Sequence, residues 1–163
     1  NTTAKTTISS RFMKDGNYHG ALTAQGEGVV LHVTQGLARG EGGNIGLGYN
    51  LKANVNTLHS DFKQAGIPEE GISDILSGKS NITEDQAMRL YKVTQPRYEA
   101  MAKDAYTKAT FNPMSGETKE YDKLPPQVKA VLTDIAYQSG TGVLKSSKGR
   151  EGLKAFADRK SVV

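Results

Sequence analysis

Residues Thr83-Glu84-Asp85-Gln86 form a capping box, in which a threonine hydroxyl and a glutamine side chain each satisfy a backbone amide at a helix start. It is the strongest start signal in the chain. Behind it Ala87, Leu90, Tyr91, Thr94, Tyr98, Met101, Ala102 and Ala105 keep a helical stripe for over twenty residues, broken only by Pro96. Proline inside a helix costs about 3 kcal/mol, so the helix is expected either to kink there or to be two abutting helices. A helix this long connects what folds before it to what folds after it. The organisation expected is therefore a small lobe with a β-hairpin over 19–82, a long connecting helix over 83–107, and an all-helical lobe over 108–163, preceded by an N-terminal tail over 1–18.

Residues 1–10 are rich in Thr, Ser and Lys without periodicity and read as a tail or linker. A short helix is expected from His19 to Glu27. Asn54 to Ala65 places Val55, Leu58, Phe62 and Ala65 on one face, with Gly66 as the stop, and a short helix follows Pro68 with Ile72, Ile75 and Leu76 as its apolar face. Residues 108–123 read as a surface loop. Leu124-Pro125-Pro126 opens a helix whose Val128, Val131, Leu132, Ile135 and Ala136 form a clear apolar stripe, expected to be the central core helix of the C-terminal lobe. One more short helix is expected around Leu153, Ala155, Phe156 and Ala157.

The stretch from Leu22 to Leu51 carries the chemistry. Glu27 lies between Gly26 and Gly28 at a helix end, a β-rich run follows over 29–34, and glycines at 36, 40, 42 and 43 allow the turns that bring Asn44 to Tyr49 back alongside it. A carboxylate at a helix end, facing a polar, glycine-lined hairpin, is well placed to act as a general acid.

Composition narrows the field from the other side. The chain of 163 residues carries 21 Lys and Arg against 17 Asp and Glu, a net charge of +4. This mild excess lacks the clustering of a nucleic-acid binder and is equally compatible with an anionic polymer such as a bacterial wall or with a membrane surface. With no cysteine, thiolate catalysis, disulfides and Cys metal sites are excluded. His19, His32 and His59 share no metal-ligand spacing, and the glycine-rich run lacks the lysine of a phosphate loop, so no metal or other cofactor is expected. No segment reads as a membrane span, and the leading Asn1 is expected of a processed or excised piece delivered by other means.

Four pieces in order resemble the phage-type lysozymes, the family of the T-even phage lysozyme and the endolysins (glycoside hydrolase family 24). They are Glu27-Gly28, Asn44-Ile45-Gly46-Leu47-Gly48, Ile82-Thr83-Glu84-Asp85-Gln86-Ala87, and Val131-Leu132-Thr133-Asp134-Ile135-Ala136-Tyr137-Gln138-Ser139-Gly140. The resemblance covers roughly residues 20–145. It implies an α+β lysozyme-like fold, cleavage of the β-1,4 bond between N-acetylmuramic acid and N-acetylglucosamine, and peptidoglycan glycan strands as the partner. It also implies a monomer, or a domain of a larger phage protein, found in the virion or host cytoplasm and acting on the cell wall. Glu27 is then the acid that protonates the leaving oxygen.

The chain departs from the family at the second catalytic group. Where the family has Asp and Thr nine and fifteen residues after the acid, this chain has Gly36 and Gly42, and aligning from the far end of the hairpin puts Ala38 and Asn44 there. Gln35, Glu41 and Asn44 are the polar candidates to hold water. If none does, the muramyl 6-hydroxyl attacks instead and the enzyme is a lytic transglycosylase; a wall-binding or virion structural module without catalysis is the third reading. The family's late arginine has no equivalent in Arg150 or Arg159. Gln138, with Asp134 and Tyr137 on the same helix, is the candidate substrate-binding wall, although Tyr137 also reads as core.

Overall fold

Thr83 and Gln86 cap each other as their spacing predicts: the Gln86 amide donates to Thr83 Oγ1 at 3.0 Å and the Thr83 amide to Gln86 Oε1 at 2.9 Å. The helix they open, α5, runs unbroken from Glu84 to Ala109 with Pro96 inside it. The computed structural model, which describes residues 2–33, 43–139 and 141–161, is mostly helical with one two-stranded antiparallel sheet, an α+β composition. It divides into two compact units, Asn1–Gln95 and Pro96–Val163.

In the first unit the expected N-terminal tail is instead a helix, α1 (Thr2–Lys14). Ala4, Ile8 and Phe12 recur every four residues and are buried, a strip narrow enough to be lost among the threonines and serines around it. α1 packs on α2 (Tyr18–Glu27), where the Ser9 hydroxyl donates to the Ala21 carbonyl at 3.4 Å. A Cβ at Gly20 would stand 2.6 Å from the Phe12 ring. The glycine that weakens α2 as a helix is what lets α1 approach it. Asn17 caps α2 by accepting from the Gly20 amide at 2.8 Å, and Gly28, at φ 75°, ends it.

The extended run that follows pairs at one point. Val30 and Gly46 exchange both backbone hydrogen bonds, at 2.9 and 2.7 Å, and the Leu31 carbonyl accepts from the Ile82 amide at 2.9 Å. The expected return strand over 44–49 is itself a small hairpin, β1 (Asn44–Ile45) against β2 (Tyr49–Asn50), with Ile45 opposite Tyr49. Gly46 and Gly48 at φ 67° and 83° fold it back, a conformation that costs other residues strain. Residues 34–42, which include Gln35, Gly36, Ala38, Glu41 and Gly42, lie outside the described residues. The helix expected from Asn54 starts only at Leu58, as α3 (Leu58–Gln64), because turns held by Asn50 and Asn54 occupy the residues before it; Val55 is accordingly exposed. α4 (Glu69–Leu76) follows Pro68 as predicted. Ile45, Leu47, Leu51, Leu58, Phe62, Ile67, Ile72 and Ile82 fill the core.

The second unit begins inside α5 at Pro96. Its loop is tightened by a backbone bridge between Asn112 and Glu117 and ends in a short 3-10 turn, Tyr121–Lys123. α6 (Pro126–Ser139), α7 (Thr141–Lys145) and α8 (Ser147–Ser161) complete it, so two helices stand where one was expected. Ser146 explains the break, since its hydroxyl accepts from the Gly149 amide at 3.1 Å and starts α8 afresh. The stripe on α6 faces the core along most of its length, with Leu132 and Ala136 inside it and Val128 and Ile135 packed against it, and Val131 is the exception. Ala130, Leu132, Thr133 and Ala136 are buried, whereas Val131 is 52% exposed and Val128 and Ile135 are half-buried. Periodicity shows that one face of a helix is apolar, not that anything covers it.

Candidate active site

Glu27 is the last residue of α2, and its side chain is exposed. His19, Thr23 and Glu27 follow one another at four-residue spacing and so lie along one strip of that helix. The first two are buried and anchor it. The Thr23 hydroxyl donates to the His19 carbonyl at 2.8 Å, which leaves its oxygen to accept from His19 Nε2 at 3.3 Å. The ring hydrogen therefore sits on Nε2, and Nδ1 accepts from the Tyr91 hydroxyl of α5. A second tie joins the same two helices: the side-chain amides of Asn17 and Gln95 bond reciprocally at 2.8 and 2.9 Å. The strip that ends in Glu27 is thus anchored through its two buried members, and its last residue is exposed.

The hairpin holds the other predicted group of this unit. Asn44 is exposed on β1, opposite Asn50. Val30 and Gly46 form an isolated antiparallel bridge, so Glu27, which precedes Val30, and Asn44, which precedes Gly46, lie toward opposite ends of it. His32 Nδ1 is 2.9 Å from Asn81 Oδ1. The two predicted residues therefore flank the Val30–Gly46 bridge and do not share one edge of it. Gln35 and Glu41 lie outside the described residues.

Sequence reasoning missed Asp61. This carboxylate of α3 has no solvent exposure and accepts from the Tyr49 hydroxyl at 2.8 Å and the Thr57 hydroxyl at 3.0 Å. It joins α3 to β2 and so braces the hairpin that carries Asn44. With no access to solvent it positions and does not react. The signal was present as an acid inside an apolar helix face, between Leu58 and Phe62, where an unsatisfied charge would not be tolerated.

The remaining candidates lie on α6 of the second unit. Asp134 is half-buried, Gln138 is exposed, and the Tyr137 ring meets Tyr98 edge to face, with centroids 4.8 Å apart and planes at 71°. The contact makes Tyr137 a packing residue on at least one edge.

Among the described residues no group of three or more His, Asp or Glu side chains is placed to hold a metal ion, and no helix is long and apolar enough to cross a membrane. No family model matches the chain, and searches of curated proteins and of solved structures return no match.

Proposed function

We propose that the chain is a peptidoglycan-cleaving muramidase with the fold of the phage-type lysozymes, in which Glu27 is the general acid. The observation that carries this reading is the order at the end of α2: an exposed carboxylate, a glycine at φ 75° that stops the helix, and a chain that passes at once into pairing with a glycine-turned hairpin. It supports the site implied by the Glu27-Gly28 and Asn44 to Gly48 motifs. In the reaction Glu27 gives its proton to the glycosidic oxygen, since an alkoxide is a poor leaving group, and a polar group of the hairpin holds the attacking water or steadies the oxocarbenium-like transition state. Asn44, Gln35 and Glu41 are the candidates for that role, and Gln138 and Asp134 for binding the acetamido sugars. The wall is reached from the virion or the host cytoplasm.

One observation favours a variant of this chemistry. Gly36 and Gly42 stand where the resembled family has its Asp and Thr, and Asn44 offers an amide. Internal attack by the muramyl 6-hydroxyl needs one carboxyl, as in a lytic transglycosylase. Glu27→Gln tests the common premise. That variant is expected to keep the circular dichroism spectrum of the parent and to lose the clearing of peptidoglycan suspensions by about a hundredfold or more; undiminished clearing would remove Glu27 from the mechanism. Mass spectrometry of the fragments then separates the variants, because hydrolysis leaves reducing ends and transglycosylation leaves 1,6-anhydromuramyl ends. Binding to sacculi with no soluble fragment would point to a non-catalytic module.

A further inference from the structure

We propose that the second unit binds a long-chain anionic amphiphile, a fatty-acid-like carboxylate, in the groove between α6, α7 and α8. The groove has a volume of about 520 Å³ and is lined by Val128, Val131, Ile135, Val143 and Leu153, with Gly152 on the α8 side. That volume falls in the range of small-molecule sites, about 300–1,000 Å³. Val131 and Val143 stand 52% and 51% exposed on its walls, a clustered apolar surface of the kind that marks binding sites. A methylene chain suits such a lining because it asks for no hydrogen bonds.

Two further observations name the head group and the opening. Between residues 129 and 154 five cations (Lys129, Lys145, Lys148, Arg150, Lys154) stand against two carboxylates, Asp134 and Glu151. Among the described residues Lys145, Lys148, Arg150 and Lys154 have no ion-pair partner, whereas Lys103, Lys108 and Lys123 of the same unit pair with Asp122, Asp104 and Glu120 at 2.8, 3.0 and 2.6 Å. At about 100° per residue, Lys148 and Arg150 fall on either side of the groove-lining Gly149, and Glu151 falls on the opposite face of α8. By helix geometry the apolar trough is thus flanked on α8 by Lys148 and Arg150, two cations with no ion-pair partner among the described residues. Gly152 keeps it open: a Cβ there would meet nothing within 4 Å among the described residues. This site does not depend on the role of Glu27.

Isothermal titration calorimetry of the full chain with sodium dodecanoate, held below its micellar concentration, tests the assignment. Saturable one-to-one binding is expected. Gly152→Leu, which keeps the fold by circular dichroism, should weaken it by about tenfold or more, and Lys148→Glu with Arg150→Glu by about tenfold. The neutral dodecyl maltoside, also as monomer, should bind about tenfold more weakly than dodecanoate. Absence of binding, or undiminished binding in Gly152→Leu, overturns the site. Equal affinity for dodecyl maltoside overturns the anionic head group. Binding to phosphatidylglycerol vesicles with none to monomeric dodecanoate overturns the amphiphile in favour of a membrane surface.

Discussion

The two units reach their stability by different packing. The first fills its core with Ile8, Phe12, Leu51, Leu58, Phe62 and Ile72, all with essentially no exposure, and braces it with a buried carboxylate that takes two hydroxyl hydrogens. The second builds its core from Leu124, Leu132, Leu144 and Leu153 with Ala102, Ala105, Ala136 and Ala157 around the Tyr106–Tyr121 pair, and leaves Val131 on α6 and Val143 on α7 open to solvent. Branched aliphatic side chains that interdigitate leave few gaps; alanines let helices approach closely but bury little area each. The contrast teaches that apolar content and apolar burial part company in this chain. The hydrophobic stripe on α6 buries Leu132 and Ala136 and still leaves Val131 half exposed.

Truncating one core residue in each unit should expose that difference most strongly. Phe62 is wholly buried, and Phe62→Ala is expected to cost the first unit about 4 kcal/mol, read as faster hydrogen exchange of its slowest amides. Leu132 also lines the groove, and Leu132→Ala should cost the second unit about 2 kcal/mol, since its neighbours are already incomplete on one side. Equal losses would erase the comparison.

A pair of mid-helix glycines should sharpen it with opposite signs. Gly20→Ala drives a methyl into the Phe12 ring, at 2.6 Å, and is expected to destabilise the first unit by about 2 kcal/mol. Gly152→Ala meets nothing within 4 Å and should stabilise the second unit by about 1 kcal/mol through helix propensity alone. Gly149→Ala, three residues earlier on α8, is the control: its Cβ would fall 2.0 Å from the Val143 carbonyl oxygen, so it must destabilise. Thermal melts of the three variants decide the matter.

These glycines also show how far sequence reasoning reaches. The capping box, the α+β composition, the stop of α2 at Gly28 and the helix after Pro68 were legible, because each rests on interactions within a few residues. α1 was not, because its three apolar residues acquire meaning only when Gly20 opens α2 to receive them. Asp61 was passed over for the same reason: whether an acid on an apolar face is satisfied depends on Tyr49, twelve residues away in sequence and on another element. Of the candidate site, Glu27 at the end of α2 could be read from its flanking glycines. That Asn44 lies across the Val30–Gly46 bridge from it could not, since register is set by the pairing and not by the spacing.

The smallest effect expected bears on the tyrosine pair in the core of the second unit. Burial raises the phenol of Tyr121 above its ordinary value near 10, with the charges of Glu99 and Asp122 adding to the rise and the Thr133 hydroxyl, 3.4 Å away, opposing it. Burial raises Tyr106 as well. A phenol held above its unfolded value binds its proton more tightly in the folded state. Its contribution to stability is therefore complete below about pH 10 and is lost as pH climbs through the folded value. The second unit should unfold as pH climbs through these raised values, with phenolate absorbance from these two tyrosines appearing only as it does so. In Tyr121→Phe one of the late-ionising phenols is gone, the loss of a weak contact with Thr133 is slight, and the alkaline limit of the second unit should move upward. An alkaline limit that stays where it was would mean that the tyrosine pair is packed filling and carries no proton linkage.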